Sequence, residues 1–365
     1  MKKSAAAPTP DVTPAKAAPD SRLVPVSTEP WNAETLLPAQ TGVITPGAAF
    51  YKRNHFPIPQ LAAPTWRLTV AGAVASSLAL TYDELLALPS RTHLVTLECA
   101  GNGRTQLKPP ADGEPWGYGA VSTAEWTGVP LHIVLARADL APDACEMVFE
   151  GADAGDVPAA GSTIPFARSL PLEKALHPDT LLAYAMNGEP LPAAHGFPLR
   201  LVVPGWYGMA AVKWLTRIEA ITEPFQGFYQ VQRYVLPHVE RGDASPIPLT
   251  AIGVRALFTA PPPDAVVTLG RHMLRGLAWS GVAPVASVEV STDGGAAWHL
   301  AELTSEPARY AWRRWEYAWE AREPGPATLL CRAFDAAGNA QPTAPRWNRL
   351  GYANNAVQPV PVLVR

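Results

Sequence analysis

Three groups of residues in this sequence are equipped for chemistry. The first is Cys99, which ends the apolar run THLVTLEC and is followed at once by Ala100-Gly101-Asn102-Gly103-Arg104. A strand end beside a glycine turn leaves a side chain reachable, and a neighbouring guanidinium favours the thiolate. Such a thiolate suits two roles, a soft ligand for a transition metal and a covalent nucleophile. A lone Cys on an apolar strand also serves as a small buried hydrophobe, and spacing alone does not separate the three. The second group is Lys52-Arg53-Asn54-His55, framed by Tyr51 and Pro57. Consecutive donors in one loop grip a phosphate or another anion, or else form a solvated basic loop. The third is HGFPLR, from His195 to Arg200, with Lys213 in the VKW that follows. His195 fits a satisfied turn histidine as well as a ligand, and Lys213 fits a snorkelling side chain. Glu98, Asp153, Tyr234 and Trp116 are weaker candidates as carboxylates, phenol and hydrophobic plug. No GxSxG elbow, P-loop or GxGxxG fingerprint accompanies them.

The elements that must position these residues fall into two textures. TWRLTVAGAV (65–74), the run ending at Cys99, and CEMVFEGAD (145–153) read as strands. SLALTYDELLALPS contains a short capped helix, and residues 122–140 read as a loop followed by a helical apolar run. Residues 179–222 turn at Asn187-Gly188 between strands. The mixture predicts an α+β domain over 31–244. From 245 onward short alternating segments, punctuated by turns such as Asp293-Gly294, predict a β-sandwich of immunoglobulin type over 245–365. The Ala/Pro-rich residues 1–30 are expected to form a disordered tail.

Composition narrows the partners. The chain has 365 residues and a net charge of -3, which gives no electrostatic footprint for nucleic acid. Its three Cys (Cys99, Cys145, Cys331) form neither a disulfide framework nor a CxxC metal or haem motif. No apolar run is long enough for a membrane span. The N-terminus has no apolar signal core and no twin arginine, so a cytoplasmic location is expected.

Taken in order, YKRNHFPIP (51–59), TLECAGNGR (96–104), WGYGAVSTAEWTGVPL (116–131), FEGAD (149–153), LLAYAMNGEPLPAAHGFPLRLVVPGWYGMAAVKWL (181–215), and LAWSG with VEVSTDGGAAW (277–298) resemble the sulfite oxidase family of molybdopterin enzymes. The resemblance implies a molybdenum-cofactor domain followed by an immunoglobulin-like domain that makes a homodimer. It implies that Cys99 is the protein's thiolate ligand to molybdenum. Tyr51, Lys52, Arg53, Asn54, His55, Asp153, His195, Arg200, Ala211, Val212 and Lys213 would line the pterin and its phosphate. Arg53, Arg104, Trp116 and Tyr234 would form the oxyanion pocket. The implied reaction is oxidation of sulfite to sulfate by oxygen-atom transfer, with electrons passed to an external acceptor such as a cytochrome. Reductive oxo transfer to nitrate or an S-oxide is the alternative within the family. A cofactor-free binding protein and a thiol-dependent transferase are the alternatives outside it. One departure concerns charge: where the family has Trp-Asn-Leu-Arg-Gly, this chain has Trp347-Asn348-Arg349-Leu350-Gly351. A one-place shift on extended backbone turns Arg349 away from the pocket.

Overall fold

The computed structural model describes residues 20–237 and 246–365. The cysteine strand forms as Arg91–Glu98, antiparallel to Val121–Pro130. The sheet continues through Leu181–Met186, which pairs with both Glu189–Pro190 and Arg200–Val202. A second five-stranded sheet runs Leu78–Thr81, Arg67–Gly72, Leu215–Ile221, Glu146–Val157, Ser162–Pro171. Its one parallel pairing joins Arg67–Gly72 to Leu215–Ile221. Among the described residues helices are few and short. Tyr82–Leu86 begins at a capping box between Thr81 and Glu84, and Leu131–Ala138 turns its buried Leu131, Val134 and Leu135 into the core. This first part is a mostly-sheet architecture consistent with the expected α+β class.

Two expectations need correction. Residues 122–130 are a strand rather than a loop. Ser122, Thr123 and Ala124 are as fully buried as Trp126 and Val129, so both faces are covered and no polar alternation marks the strand. Part of the expected tail is also structured: Leu23–Thr28 pairs antiparallel with Trp31–Thr35. That hairpin is tied to the basic loop by Ala33 and Lys52, which exchange backbone hydrogen bonds at 3.0 and 2.8 Å. Residues 1–19, and the expected boundary at 244/245, lie outside the described residues.

The C-terminal part packs a four-stranded sheet (Arg255–Ala260, Gly270–Trp279, Arg313–Ala321, Glu302–Leu303) on a five-stranded one (Ala265–Val267, Val360–Val364, Gly325–Asp335, Val285–Ser291, His299–Leu300). Val288, Val290, Leu329, Cys331 and Trp315 fill the space between the sheets, so Cys331 serves as a hydrophobe. Among the described residues no helix is long and apolar enough to cross a membrane.

The two parts share contacts that bear on the cysteine. Arg91–Glu98 is an edge strand, and residues 310–312 of the second part cover it: Thr96 N–H donates to the Tyr310 carbonyl at 2.9 Å, and Trp312 N–H to Thr96 Oγ1 at 2.8 Å. After the sandwich strands the chain returns to the glycine turn. Ala353 N–H donates to the Ala100 carbonyl at 2.8 Å, and Asn354 Nδ2 to the Gly103 carbonyl at 2.8 Å.

Candidate active site

Cys99 leaves the end of its strand with its N–H on the Ala120 carbonyl at 2.9 Å, and its own carbonyl accepts from Asn102 N–H at 2.9 Å to close the turn. Both glycines of that turn are dictated by arginines. A Cβ on Gly101 would lie 2.4 Å from Arg104 Nη2. Gly103 has φ +82°, and a Cβ there would lie 2.8 Å from Arg255 Nη2. Glu98, one residue before the cysteine, is an anchor and not a catalyst. Its carboxylate accepts from Arg255 Nη1 at 2.7 Å, Trp279 Nε1 at 2.8 Å and Asn102 Nδ2 at 2.9 Å. Two of those three donors come from the second part of the chain, so the sandwich holds the residue beside the thiol.

Cys99 is 7% exposed and faces two cavities. Burial pushes its thiol up, and the charges of Arg53 and Arg104 act in the opposite direction. The inner cavity is lined by Tyr51, Arg53, His55, Asp153, His195, Arg200, Ala211 and Lys213. Arg200 donates to the carbonyls of His195 and Ala211, each at 3.1 Å, over the face of Trp126 at 4.7 Å. Lys213 donates to the Ala194 carbonyl at 3.0 Å and to Asn54 Oδ1. Every one of these acceptors is uncharged. Burial therefore lowers both cations, Arg200 to about 10 and Lys213 well below the usual lysine value. Asp153 sits at a bulge in Glu146–Val157 with Oδ1 buried and, among the described residues, unpartnered. Burial pushes its carboxyl up to about 6, against the opposing charge of Lys213. Buried cations on neutral acceptors, an orphaned carboxylate oxygen and a soft sulfur in one cavity match an anionic, N–H-bearing group with a metal at one end. The residues present thus fit a phosphorylated pterin carrying molybdenum.

The outer cavity, about 460 Å3, runs from Cys99 past Arg53, Arg104, Trp116 and Tyr234 to a rim that includes Asp112, Glu114 and Arg233. Arg104 is 6% exposed and is fixed by Nε on the Leu350 carbonyl at 3.0 Å and by the face of Tyr352 at 5.4 Å. Tyr234 adopts φ +55°, stacks on Tyr352 at 5.0 Å, and places its hydroxyl 2.6 Å from His55 Nε2. Burial raises the Tyr234 phenol. His55 lies well below the usual histidine value, through burial and then the charges of Arg53, Lys213 and Arg168, so the pair is neutral at pH 7.

All four residues expected at the oxyanion pocket meet beside Cys99 in the outer cavity, and eight of the eleven expected at the cofactor line the inner one. Three of the eleven do not line it. Lys52 lies over Trp31 and donates to the Ala48 carbonyl. Asn54, 1% exposed, braces Lys213 and donates through Nδ2 to the Trp31 carbonyl at 2.8 Å. Val212 is core. Arg349 points outward as expected, on Asp112 at 3.1 Å with 69% of its side chain exposed. Arg233, Glu114, Leu350 and Tyr352 were not expected at the site. Arg233 adjoins Tyr234 and Glu114 stands two residues before Trp116, whereas Leu350 and Tyr352 arrive by folding from distant positions.

Residues 55–229 match the family model of the oxidoreductase molybdopterin binding domain, and residues 248–364 that of the Mo-co oxidoreductase dimerisation domain. The chain is 39% identical over 359 residues to mitochondrial sulfite oxidase of Mus musculus, covering 93% of this chain and 65% of that protein. It is 36% identical to sulfite oxidase of Gallus gallus, covering 90% and 75%. The solved sulfane dehydrogenase SoxCD of Paracoccus pantotrophus superposes with a TM-score of 0.81 at 32% identity, covering 91% of this chain and 84% of that one. The chain spans about two thirds of the mammalian relative's length.

Proposed function

Because the chain belongs to the sulfite oxidase family of molybdopterin oxidoreductases, we propose that it oxidises sulfite to sulfate by oxygen-atom transfer and passes the electrons to an external acceptor such as a cytochrome. The observation that carries this reading is that Cys99 borders both cavities, one suited to the cofactor and one lined with arginines. Cys99 would be the single protein ligand to molybdenum. Arg200, Lys213 and His195 would hold the phosphate end of the pterin, and the free Oδ1 of Asp153 would accept from its N–H edge. The cofactor supplies the oxygen atom and stores the two electrons; the chain binds, orients and excludes water.

Arg53 and Arg104 hold the sulfite oxygens, because guanidinium groups stay charged at any working pH and present forked donors to an oxyanion. Arg104 is already fixed by the Leu350 carbonyl and the Tyr352 ring, so little ordering accompanies anion binding. The Tyr234 hydroxyl keeps its proton at neutral pH and donates either to His55 Nε2 or to a substrate oxygen. Residues 245–365 act as an immunoglobulin-like dimerisation domain, in keeping with the dimerisation model they match.

A second reading is supported by the size of the outer cavity. About 460 Å3 lies in the range of sites for ligands larger than a small oxyanion, which favours sulfur borne on an organic group as an additional substrate.

The test is a set of assays on the purified protein from a cofactor-competent host. Molybdenum near one per chain, with sulfite-dependent reduction of ferricyanide, is expected. Bound molybdenum together with nitrate reduction by a reduced dye and no sulfite oxidation would overturn the direction of the reaction. No bound molybdenum would overturn the enzyme reading itself. An organic persulfide in place of sulfite decides the second reading.

A further inference from the structure

The charge of the outer cavity does not follow from the two arginines expected there. Arg53 and Arg104 share the lining of this cavity with Asp112 and Glu114, two cations against two anions. The family arginine that would break this tie is missing: Leu350 lines the wall in its place, while Arg349 sits in solvent on Asp112 at 3.1 Å. The remaining charged residue of the lining is Arg233, directly before Tyr234. Its side chain is half-buried, with the guanidinium 5.9 Å from the Phe228 ring. Its backbone N–H is held on the Phe228 carbonyl at 3.1 Å. Its charge is felt inside the cavity, where it opposes the upward push of burial on the hydroxyls of Tyr229 and Tyr352. Tyr352 is the ring stacked on Tyr234.

We infer that Arg233 is the specificity-determining cation of the outer cavity, supplying from the segment before Tyr234 the anion-binding charge that Leu350 leaves out. This rests on the reading of an anionic sulfur substrate, and it locates the residue that makes the cavity attractive to one. With Arg233 the lining carries three cations against two anions. Without it the lining has no net positive charge. The guanidinium lies at the rim and not beside the sulfur ligand, so it acts on capture more than on turnover.

The experiment uses the molybdenum-loaded protein and three variants. In Arg233→Gln, KM for sulfite should rise about tenfold or more, the loss expected when one charged hydrogen bond to an anion is removed, while kcat changes less than about threefold. Sulfate binding to the oxidised protein, measured by calorimetry, should weaken by a similar factor. Arg233→Gln combined with Leu350→Arg should recover most of both losses, because the charge returns from another residue of the same lining. Arg349→Gln, which touches only the exposed Asp112, should leave both values unchanged. Arg233→Gln with KM and sulfate affinity within twofold of the parent overturns the inference. So does a double variant no better than the single one. Sulfate calorimetry judges Arg233 whether or not the parent oxidises sulfite; a parent without sulfite oxidation refutes the proposed function instead.

Discussion

Replacing Arg255 by Met isolates the link between the sandwich and the cysteine loop. Arg255 and Glu98 are 1% and 3% exposed and lie 2.7 Å apart. Removing the cation leaves a buried carboxylate with only Trp279 Nε1 and Asn102 Nδ2 as donors. Breaking a buried pair from one side costs about 3–5 kcal/mol, because the surviving charge has no counterion and no water. Arg255 Nε and Nη2 find no acceptor among the described residues, so removing them relieves an existing penalty and places the loss near the lower end, about 3 kcal/mol. With a urea m-value of about 3 kcal/mol per molar, the midpoint falls by about 1 M. The assay is urea unfolding of parent, Arg255→Met, Glu98→Gln and the double variant, followed by tryptophan fluorescence. Trp279, which donates to Glu98, is one of the twelve tryptophans that contribute to the signal. The double variant should be more stable than the sum of the single losses predicts by about 1–3 kcal/mol. Arg349→Met is the control: its partner Asp112 lies 3.1 Å away with both side chains more than 60% exposed, and its loss should stay under about 1 kcal/mol. Arg255→Met within 1 kcal/mol of the parent, or additive losses in the double variant, would refute the anchoring argument.

Cys99→Ser should abolish sulfite turnover and change the visible absorption of the bound metal; full activity in that variant rejects Cys99 as the ligand. Arg104→Gln should raise KM for sulfite by about tenfold or more with molybdenum content unchanged, since it removes a charged donor to the anion and leaves Cys99 in place. An unchanged kcat/KM sinks that role. Asp153 sets a pH dependence in the cofactor-free chain. Its folded value of about 6 lies above its ordinary 3.8, so the folded state binds the proton more tightly than the unfolded state. Its contribution is therefore present at low pH and is lost as pH rises from about 4 to about 6. Thermal unfolding of the parent should weaken through that window relative to Asp153→Asn; parallel pH profiles for the two count against it. Trp116→Ala should cost about 3–5 kcal/mol, because a fully buried indole is removed from beside the cysteine turn, and chemical denaturation measures it directly.

Much of the site was legible along the chain because its parts are short and contiguous. The Cys99 turn, the loop from Tyr51 to His55 and the stretch from His195 to Lys213 each carry their residue types within a few positions. Those segments do meet at two adjoining cavities. The sandwich was legible for a similar reason, since alternation and turns such as Asp293-Gly294 are local features. Residues 122–130 were not, because burial on both faces erased the alternation that marks a strand. The hairpin at 23–35 was hidden because its order comes from packing against the Lys52 loop and not from its own composition.

The amino-acid order alone settles which groups are available: a single thiol between an acid and a glycine turn, and cations grouped on either side of it. Their division of labour is a property of the fold. Glu98 and Asp153 are both carboxylates on strand segments, yet Arg255 folds back onto Glu98 and makes it structural, while Asp153 keeps an unpaired oxygen and stays open to a ligand. Arg349 and Arg233 carry the same charge, yet one reaches solvent and the other the cavity. The physical reason is that charge and hydrogen-bonding capacity belong to the side chain, whereas desolvation and counterions depend on neighbours brought in from as far as 237 positions away.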